Sequence, residues 1–363
     1  MNRSPFSKRH KSFVSLFLLL VVTHSLYSQD VNTEKISSDW AAYPVLFYTS
    51  RTSAAFGAYG LRHFNYTGSP HNSTISGAAV YTLKGQMMSQ LAGEFYFPGY
   101  RLKADIDYLN FPDTYYGIGN ATSTQNAEEY TSERLGFDMK FQKELLSSFF
   151  IGFLYDFESH DLQNTEPGGV LDLGLLPGTR SAFNLSGLGL SINYDSRDHV
   201  VNCQRGTYLE LSWSFYDHSI GSDFKYIEYF LDLRHYLQLS QKSIIAFQGT
   251  YSRISGHAPI QAYPVLGDDR LRGFSGRYMD KNLLTFQAEY RRNIFGNFGI
   301  VLFAGAGDVA NHFDSFKPSE FKLGAGFGFR YTILPANKLN IRFDFGFGTH
   351  GNSSMTFLPG EAF

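Results

Sequence analysis

Residues 321–331 read Phe321-Lys322-Leu323-Gly324-Ala325-Gly326-Phe327-Gly328-Phe329-Arg330-Tyr331. Taken in alternate steps, they separate into two sets. Phe321, Leu323, Ala325, Phe327, Phe329 and Tyr331 form one, and Lys322, Gly324, Gly326, Gly328 and Arg330 form the other. A period of two puts each set on its own face of a β-strand. Residues 339–347 repeat the pattern, with Leu339, Ile341, Phe343, Phe345 and Phe347 opposing Asn340, Arg342, Asp344 and Gly346. Aromatics on one side and charges on the other suit a strand between lipid and a polar lumen. A soluble sandwich also alternates, but there a second sheet covers the apolar face.

Working outward, strand-like segments recur near 53–65, 73–83, 88–98, 100–110, 129–142, 147–160, 184–195, 205–217, 224–238, 242–255, 282–292 and 297–307. A short last one lies near 354–363 and ends on Phe363, the terminal aromatic common to outer-membrane proteins. That makes fifteen with the two above, and single-chain bacterial barrels usually close on an even number. Either 111–128 or 41–51 can hold the missing strand, so the expected fold is all-β, a transmembrane antiparallel up-and-down barrel of about 16 strands. Residues 29–363 shared among these give roughly 21 each, a strand of about ten plus its connection. Short connections at 239–242, 295–297 and 335–337 belong at the periplasmic end, and longer ones at 161–183, 256–281 and 308–319 outside.

Composition agrees. The chain has 363 residues, with 35 Gly, 24 Tyr, 35 Phe and 17% aromatics. A formal net charge of −2 gives no basic field for nucleic acid. Mean hydropathy is only −0.21, which a barrel tolerates because its strands bury only every second residue in lipid. At the N-terminus, Arg3, Lys8, Arg9 and Lys11 precede an apolar core from Phe13 to Val22, and Ser28 stands before a plausible cleavage point. Residues 1–28 are therefore read as a signal peptide, the apolar core being too short to span a bilayer of about 30 Å. Residues 29–52 are read as a short periplasmic segment and 53–363 as the barrel. About 25 residues ahead of the first strand are too few for a folded module. The single cysteine, Cys203, excludes an internal disulfide and reads as a turn residue.

Against this background the run Leu271-Arg272-Gly273-Phe274-Ser275-Gly276-Arg277-Tyr278 stands out, because it does not alternate. Together with Leu266-Gly267 and the strand Glu289-Tyr290-Arg291, it resembles the bacterial surface antigen superfamily of BamA- and TamA-like assembly barrels and two-partner secretion transporters. Two further stretches carry the resemblance. One is Tyr194-Asp195-Ser196-Arg197-Asp198 with Arg205-Gly206-Thr207-Tyr208, and the other is Gly324 to Arg330 with Arg342-Phe343-Asp344. The resemblance covers roughly 184–363, and Phe111-Pro112 with Tyr116 to Asn120 resembles a branch lacking the N-terminal polypeptide-transport-associated (POTRA) domains.

The resemblance implies an extracellular loop folded into the lumen, carrying Leu271, Arg272, Gly273, Phe274, Gly276 and Arg277, with its arginine paired to wall carboxylates. Alternation supplies the partners: Leu284, Phe286, Ala288 and Tyr290 face lipid, so Glu289 faces in, and Asp344 does so by the same count. Such a charge-assisted contact is worth about 1.5–3 kcal/mol. Two departures stand. Gly305 occupies a position where relatives often show an aspartate, with Asp308 displaced, and Pro359 removes a ladder donor from the last strand. A weak closing strand fits either a loose seam with the first strand or an imperfect end without functional meaning.

There is no Gly-X-Ser-X-Gly elbow, no Walker loop and no His-Glu-X-X-His. Asp268 and Asp269 are too few for calcium, and His257, His312 and His350 fall in loops. No catalytic residue, metal or cofactor is expected. The sequence points to a barrel in the outer membrane of a Gram-negative bacterium, exported by a cleaved signal and embedded in outer-membrane lipid. Its expected work is helping to insert or translocate proteins or lipids, with periplasmic or outer-membrane assembly factors and client polypeptides as partners. The alternative is a passive or plugged channel.

Overall fold

The computed structural model describes residues 40–49, 53–69, 72–267, 270–335 and 338–363. The expected signal peptide, and Asp268 and Asp269, lie outside the described residues. The chain forms β1 (Trp40–Thr49), β2 (Ser53–Phe64), β3 (Ser73–Thr82), β4 (Met87–Phe97), β5 (Tyr100–Tyr115) and β6 (Glu128–Leu146). There follow β7 (Phe149–Gln163), β8 (Phe183–Asp195), β9 (Gly206–Tyr216), β10 (Lys225–Ser240), β11 (Ser243–His257), β12 (Val265–Gly267) and β13 (Ser275–Met279). The last are β14 (Asn282–Phe295), β15 (Phe298–Ala310), β16 (Lys322–Leu334), β17 (Leu339–Gly348) and β18 (Ser353–Pro359).

All but β12 and β13 join in chain order into one antiparallel sheet of sixteen strands, β11 pairing directly with β14. This is the meander that alternation implies, because each strand needs a neighbour for its backbone groups and short turns make the preceding strand the nearest. The strand missing from the sequence reading is β1, within the 41–51 stretch. Residues 29–52 are therefore not a periplasmic segment throughout, since the sheet begins at Trp40. Its Pro44 argues against a central strand, and β1 lies at the end of the sheet, where proline is tolerated. The other site, 111–128, holds no additional strand; β5 simply runs on to Tyr115.

The two faces differ as alternation requires. On β14, Leu283, Thr285, Gln287, Glu289 and Arg291 are buried, while Phe286 between them is 52% exposed. The buried set faces Ser252, Thr250, Gln248, Ala246 and Ile244 across β11. Hydrogen bonds within it, such as Gln287 Nε2 to Gln248 Oε1 at 2.8 Å, line a polar interior. The exposed set, with Leu302, Phe327, Phe329 and Phe357, makes an apolar outer surface. Connections at one end of the wall are mostly of two to four residues; the longest, including 164–182 and 258–281, lie at the other. The long connections reach across: Asn120, between β5 and β6, donates to Asp308 on β15 at 3.1 Å and to Glu320 before β16 at 2.8 Å. The sheet is thus curled around a lumen.

Candidate functional site: a loop docked inside the sheet

After β11 the chain turns through Ile260–Ala262 and builds the small hairpin of β12 and β13, pairing Val265 with Met279 and Leu266 with Tyr278. The amides of Arg270 and Leu271 both bond to the Gly267 carbonyl, at 3.0 and 2.8 Å, bending the chain towards its tip. Leu266, Leu271, Phe274 and Tyr278 then pack with Leu283 of β14 and Val309 of β15 in one buried cluster. These four aromatic and aliphatic loop side chains find their apolar surroundings inside the lumen, which is what draws the loop inward.

The tip delivers Arg272 to the wall, where its side chain is 2% exposed. One nitrogen pairs with Asp344 at 3.0 Å, another pairs with Glu289, and the guanidinium lies 3.7 Å over the ring centre of Phe303. The two carboxylates named by alternation are thus both Arg272 partners, one on β14 and one on β17. A planar guanidinium can hold both at once and still stack on an aromatic face, as a lysine cannot. The carboxylates are shared in turn: Glu289 also pairs with Arg291 at 2.7 Å, and Asp344 with Arg330 at 2.5 Å and Arg342 at 3.6 Å.

The wall is shaped to receive the loop. Inward-facing positions of β15 to β17 around the tip are glycines, and side-chain atoms added there would strike the loop. A Cβ on Gly346 would lie 2.5 Å from the Gly273 nitrogen, one on Gly324 2.6 Å from the Arg272 carbonyl, and one on Gly305 2.7 Å from the Leu271 side chain. Gly305, the departure from the family pattern, therefore provides room for Leu271. Gly273 itself has φ +101° and approaches the backbone of Phe347 and Gly348, so both its conformation and its space require glycine. Its amide donates to Ser354 Oγ at 2.8 Å.

The other expected loop residues act elsewhere. Phe274 fills the apolar cluster and Gly276 has φ +87° in β13. Arg277 does not join the carboxylates: its Nε donates to the Thr122 carbonyl at 3.1 Å, while the Gly119 amide donates to the Met279 carbonyl at 2.8 Å. The connection between β5 and β6 is thereby strapped across the loop. Phe363 departs most from expectation. The final strand ends at Pro359, not 363, and Phe363 is buried in a cluster with Cys203, Tyr236 and Ala246. The chain leaves the sheet at Gly360, with φ +86°, because Glu361 is drawn inward to Arg330 at 2.7 Å.

Arg291, Arg330, Glu361 and the glycine bay were not assigned to the site from sequence, although Arg291 and the Gly324–Arg330 stretch carry the family resemblance. Parity carried a signal for most of them, since Arg291 shares the face of Glu289, and Gly324, Gly326 and Gly328 share the face of Arg330. Glu361 gave none, because reading the strand straight to its end hides the inward turn.

Away from the loop, a cavity of about 610 Å³ is lined by Glu94, Lys103, Asp105, Lys140, Glu158 and Glu210 among others. Asp105, Asp107 and Asp138 bring carboxylate oxygens within 4.8 Å of one another. Arg134 pairs with Asp107 at 3.1 Å and Gln90 donates to Asp105 at 2.9 Å. In the ten-residue connection between β8 and β9, at the short-turn end, burial and the Asp198 carboxylate push the Cys203 thiol up to about 12. Asp198 is itself held below the usual carboxylate range. Burial opposes this, but backbone donors at Gln204 and Arg205 and the Cys203 thiol outweigh it.

An inward loop carrying Arg-Gly-Phe and docked on wall carboxylates matches the motif pattern read from the sequence. The Omp85 superfamily domain matches residues 71–362. The chain belongs to the Omp85 superfamily. Among solved structures it is similar to BamA from Haemophilus ducreyi lacking POTRA domains 1–3, with a TM-score of 0.56 and 14% identity over 90% of this chain and 70% of that one. It is also similar to CdiB from Escherichia coli, with a TM-score of 0.57 and 11% identity over 88% of this chain and 60% of that one. CdiB from Acinetobacter baumannii gives 0.51 and 11% over 88% and 58%. This Omp85 chain thus spans less than two thirds of either CdiB. Comparison with curated protein sequences returns no match.

Proposed function

We propose that this Omp85 barrel assists the insertion or translocation of polypeptides, or of lipids, at the outer membrane, with a separate partner presenting the cargo. The observation that carries the reading is the docked loop: Arg272 held between Glu289 and Asp344 in a bay of glycines. The loop backbone is seated against the wall and its arginine is buried, so the loop is a fixed element of the lumen. In this reading the signal peptide exports the chain, the long connections face outside, and the short turns face the periplasm. We assign no chemical step to the barrel.

A plugged or passive channel is the competing account. It is favoured by the strap of Asn120, Thr122 and Arg277 across the loop at the long-connection end. Purification from the native outer membrane in mild detergent separates the two. Stoichiometric recovery of assembly factors or nascent barrels is expected. Recovery as a lone barrel, with Arg272→Ala changing conductance alone, refutes the assembly reading in favour of the channel.

A further inference from the structure

Two segments enter the lumen from opposite ends and meet at the same charges. Arg272 arrives on the loop from the long-connection end, and Glu361 arrives on the tail from the short-turn end. Between them the ion pairs close into a ring. Arg272 pairs with Asp344 at 3.0 Å, Asp344 with Arg330 at 2.5 Å, and Arg330 with Glu361 at 2.7 Å. Glu361 then reaches Arg291 at 3.8 Å, Arg291 reaches Glu289 at 2.7 Å, and Glu289 returns to Arg272. All six side chains are at most 6% exposed.

The tail is seated by more than charge. The Gly360 amide donates to the Asn340 carbonyl at 2.7 Å, Asn340 donates to Glu361 at 2.6 Å, and Arg291 donates to the Phe363 carbonyl at 2.9 Å. The Phe363 ring packs with Cys203, Tyr236 and Ala246, tying the tail to the connection between β8 and β9 on the far side of the short-turn mouth.

The charge count explains why the two segments depend on each other. With Arg342 beside Asp344, the site holds four guanidiniums and three side-chain carboxylates, and Arg291 also bonds the main-chain oxygen of Phe363. Withdrawing the tail removes Glu361 and the Phe363 oxygen together, leaving four guanidiniums facing two carboxylates in a buried site, and the guanidinium with the least wall attachment is the one on the loop. Withdrawing Arg272 leaves Glu289 and Asp344 to draw Arg291 and Arg330 away from Glu361. A buried ion set that loses one member is strongly destabilised, because the remainder stays buried without compensation.

We propose that residues 360–363 form a latch inside the short-turn mouth, coupled through this ring to the loop, so that tail and loop are held together or released together. While the latch is set, β18 cannot continue beyond Pro359 and Phe363 occupies the mouth. The inference does not depend on whether the barrel handles polypeptides.

Cys203 reports on it. Cys203 is 3% exposed and shares the Phe363 cluster, so release of the tail uncovers it. In the full-length protein in detergent micelles, the rate of reaction with N-ethylmaleimide is measured, with heat-dependent gel mobility confirming a folded barrel. Phe363→Ala and Glu361→Gln are expected to speed labelling about tenfold or more. Coupling between sites is reciprocal. Arg272→Met must therefore speed Cys203 labelling, and Glu361→Gln must speed amide exchange at 271–274 by a comparable factor. If Arg272→Met does not fold, the Glu361→Gln exchange measurement decides alone. Labelling unchanged by Phe363→Ala and Glu361→Gln overturns the latch. Labelling raised by Glu361→Gln with exchange at 271–274 unchanged overturns the coupling.

Discussion

Arg272→Met removes the charge that fixes the loop while keeping most of the side chain's length and its contact with Phe303. In the native protein this guanidinium holds two carboxylates that are at most 1% exposed. Breaking a buried pair by deleting one partner costs about 3–5 kcal/mol, because the surviving charge stays buried. Here Arg291, Arg330 and Arg342 still neutralise Glu289 and Asp344, which places the cost near the lower end, about 3 kcal/mol. That is roughly a hundredfold shift towards the undocked loop. The wall, whose ladders do not involve Arg272, should stay folded. Hydrogen exchange in detergent micelles measures the effect: amides at 271–279 are expected to exchange about a hundredfold faster, with β10 and β11 unchanged. Arg272→Lys should fall between, since a compact ammonium lacks the planar fork that spans both carboxylates while stacking on Phe303. Loop exchange in Arg272→Met within about threefold of the native rate would falsify the claim that these ion pairs hold the loop.

Gly346→Ala attacks the same docking from the wall. Its Cβ would meet backbone atoms of Gly273 and Arg272 at 2.5 and 2.9 Å, which no rotamer can relieve, so it should undock the loop at a cost of about 1–3 kcal/mol. Equal loop protection in Gly346→Ala and the native chain refutes the glycine bay. Phe286→Arg places a charge on the outer face at mid-strand and should cost about 2–4 kcal/mol in a bilayer, read as urea-dependent unfolding from vesicles; no cost means that face does not meet lipid. The Cys203 thiol sits at about 12, so its labelling rate should climb through pH 9–11 without a plateau. A raised thiol value means that folding favours the neutral form, a contribution present below the ordinary thiol range and lost as pH rises through about 12. Asp198→Asn should bring the plateau to lower pH by removing the neighbouring charge. For Asp198 the sign is opposite: its contribution is present above the ordinary carboxylate range and is lost as pH falls through its lowered value. A native plateau near the ordinary thiol value contradicts the buried environment of this turn.

The wall was legible because a strand between lipid and lumen imposes a local rule. Every second residue must tolerate hydrocarbon, so Phe327, Phe329, Phe343 and Phe345 announce one face, and Glu289 and Asp344 follow on the other. β1 was harder, since Pro44 breaks the rule and only its place at the end of the sheet permits it. The loop's arginine and its two carboxylates could be paired from motif and parity. Their sharing with Arg291 and Arg330 could not, because alternation gives a side chain's face but not its height in the lumen or its neighbours across it.

By itself, then, the sequence determined the sheet, its strand number to within one, the inward faces and the loop that breaks the pattern, all of which follow from contacts between residues near in the chain or in adjacent strands. Only the tertiary structure decided that Arg277 straps a second connection instead of joining the carboxylates, that glycines on three strands make one bay, and that Phe363 turns into the lumen instead of ending the sheet. Each of these depends on groups distant in sequence being brought to one place by the curl of the sheet, where burial makes an unpaired charge costly and so fixes which partners meet.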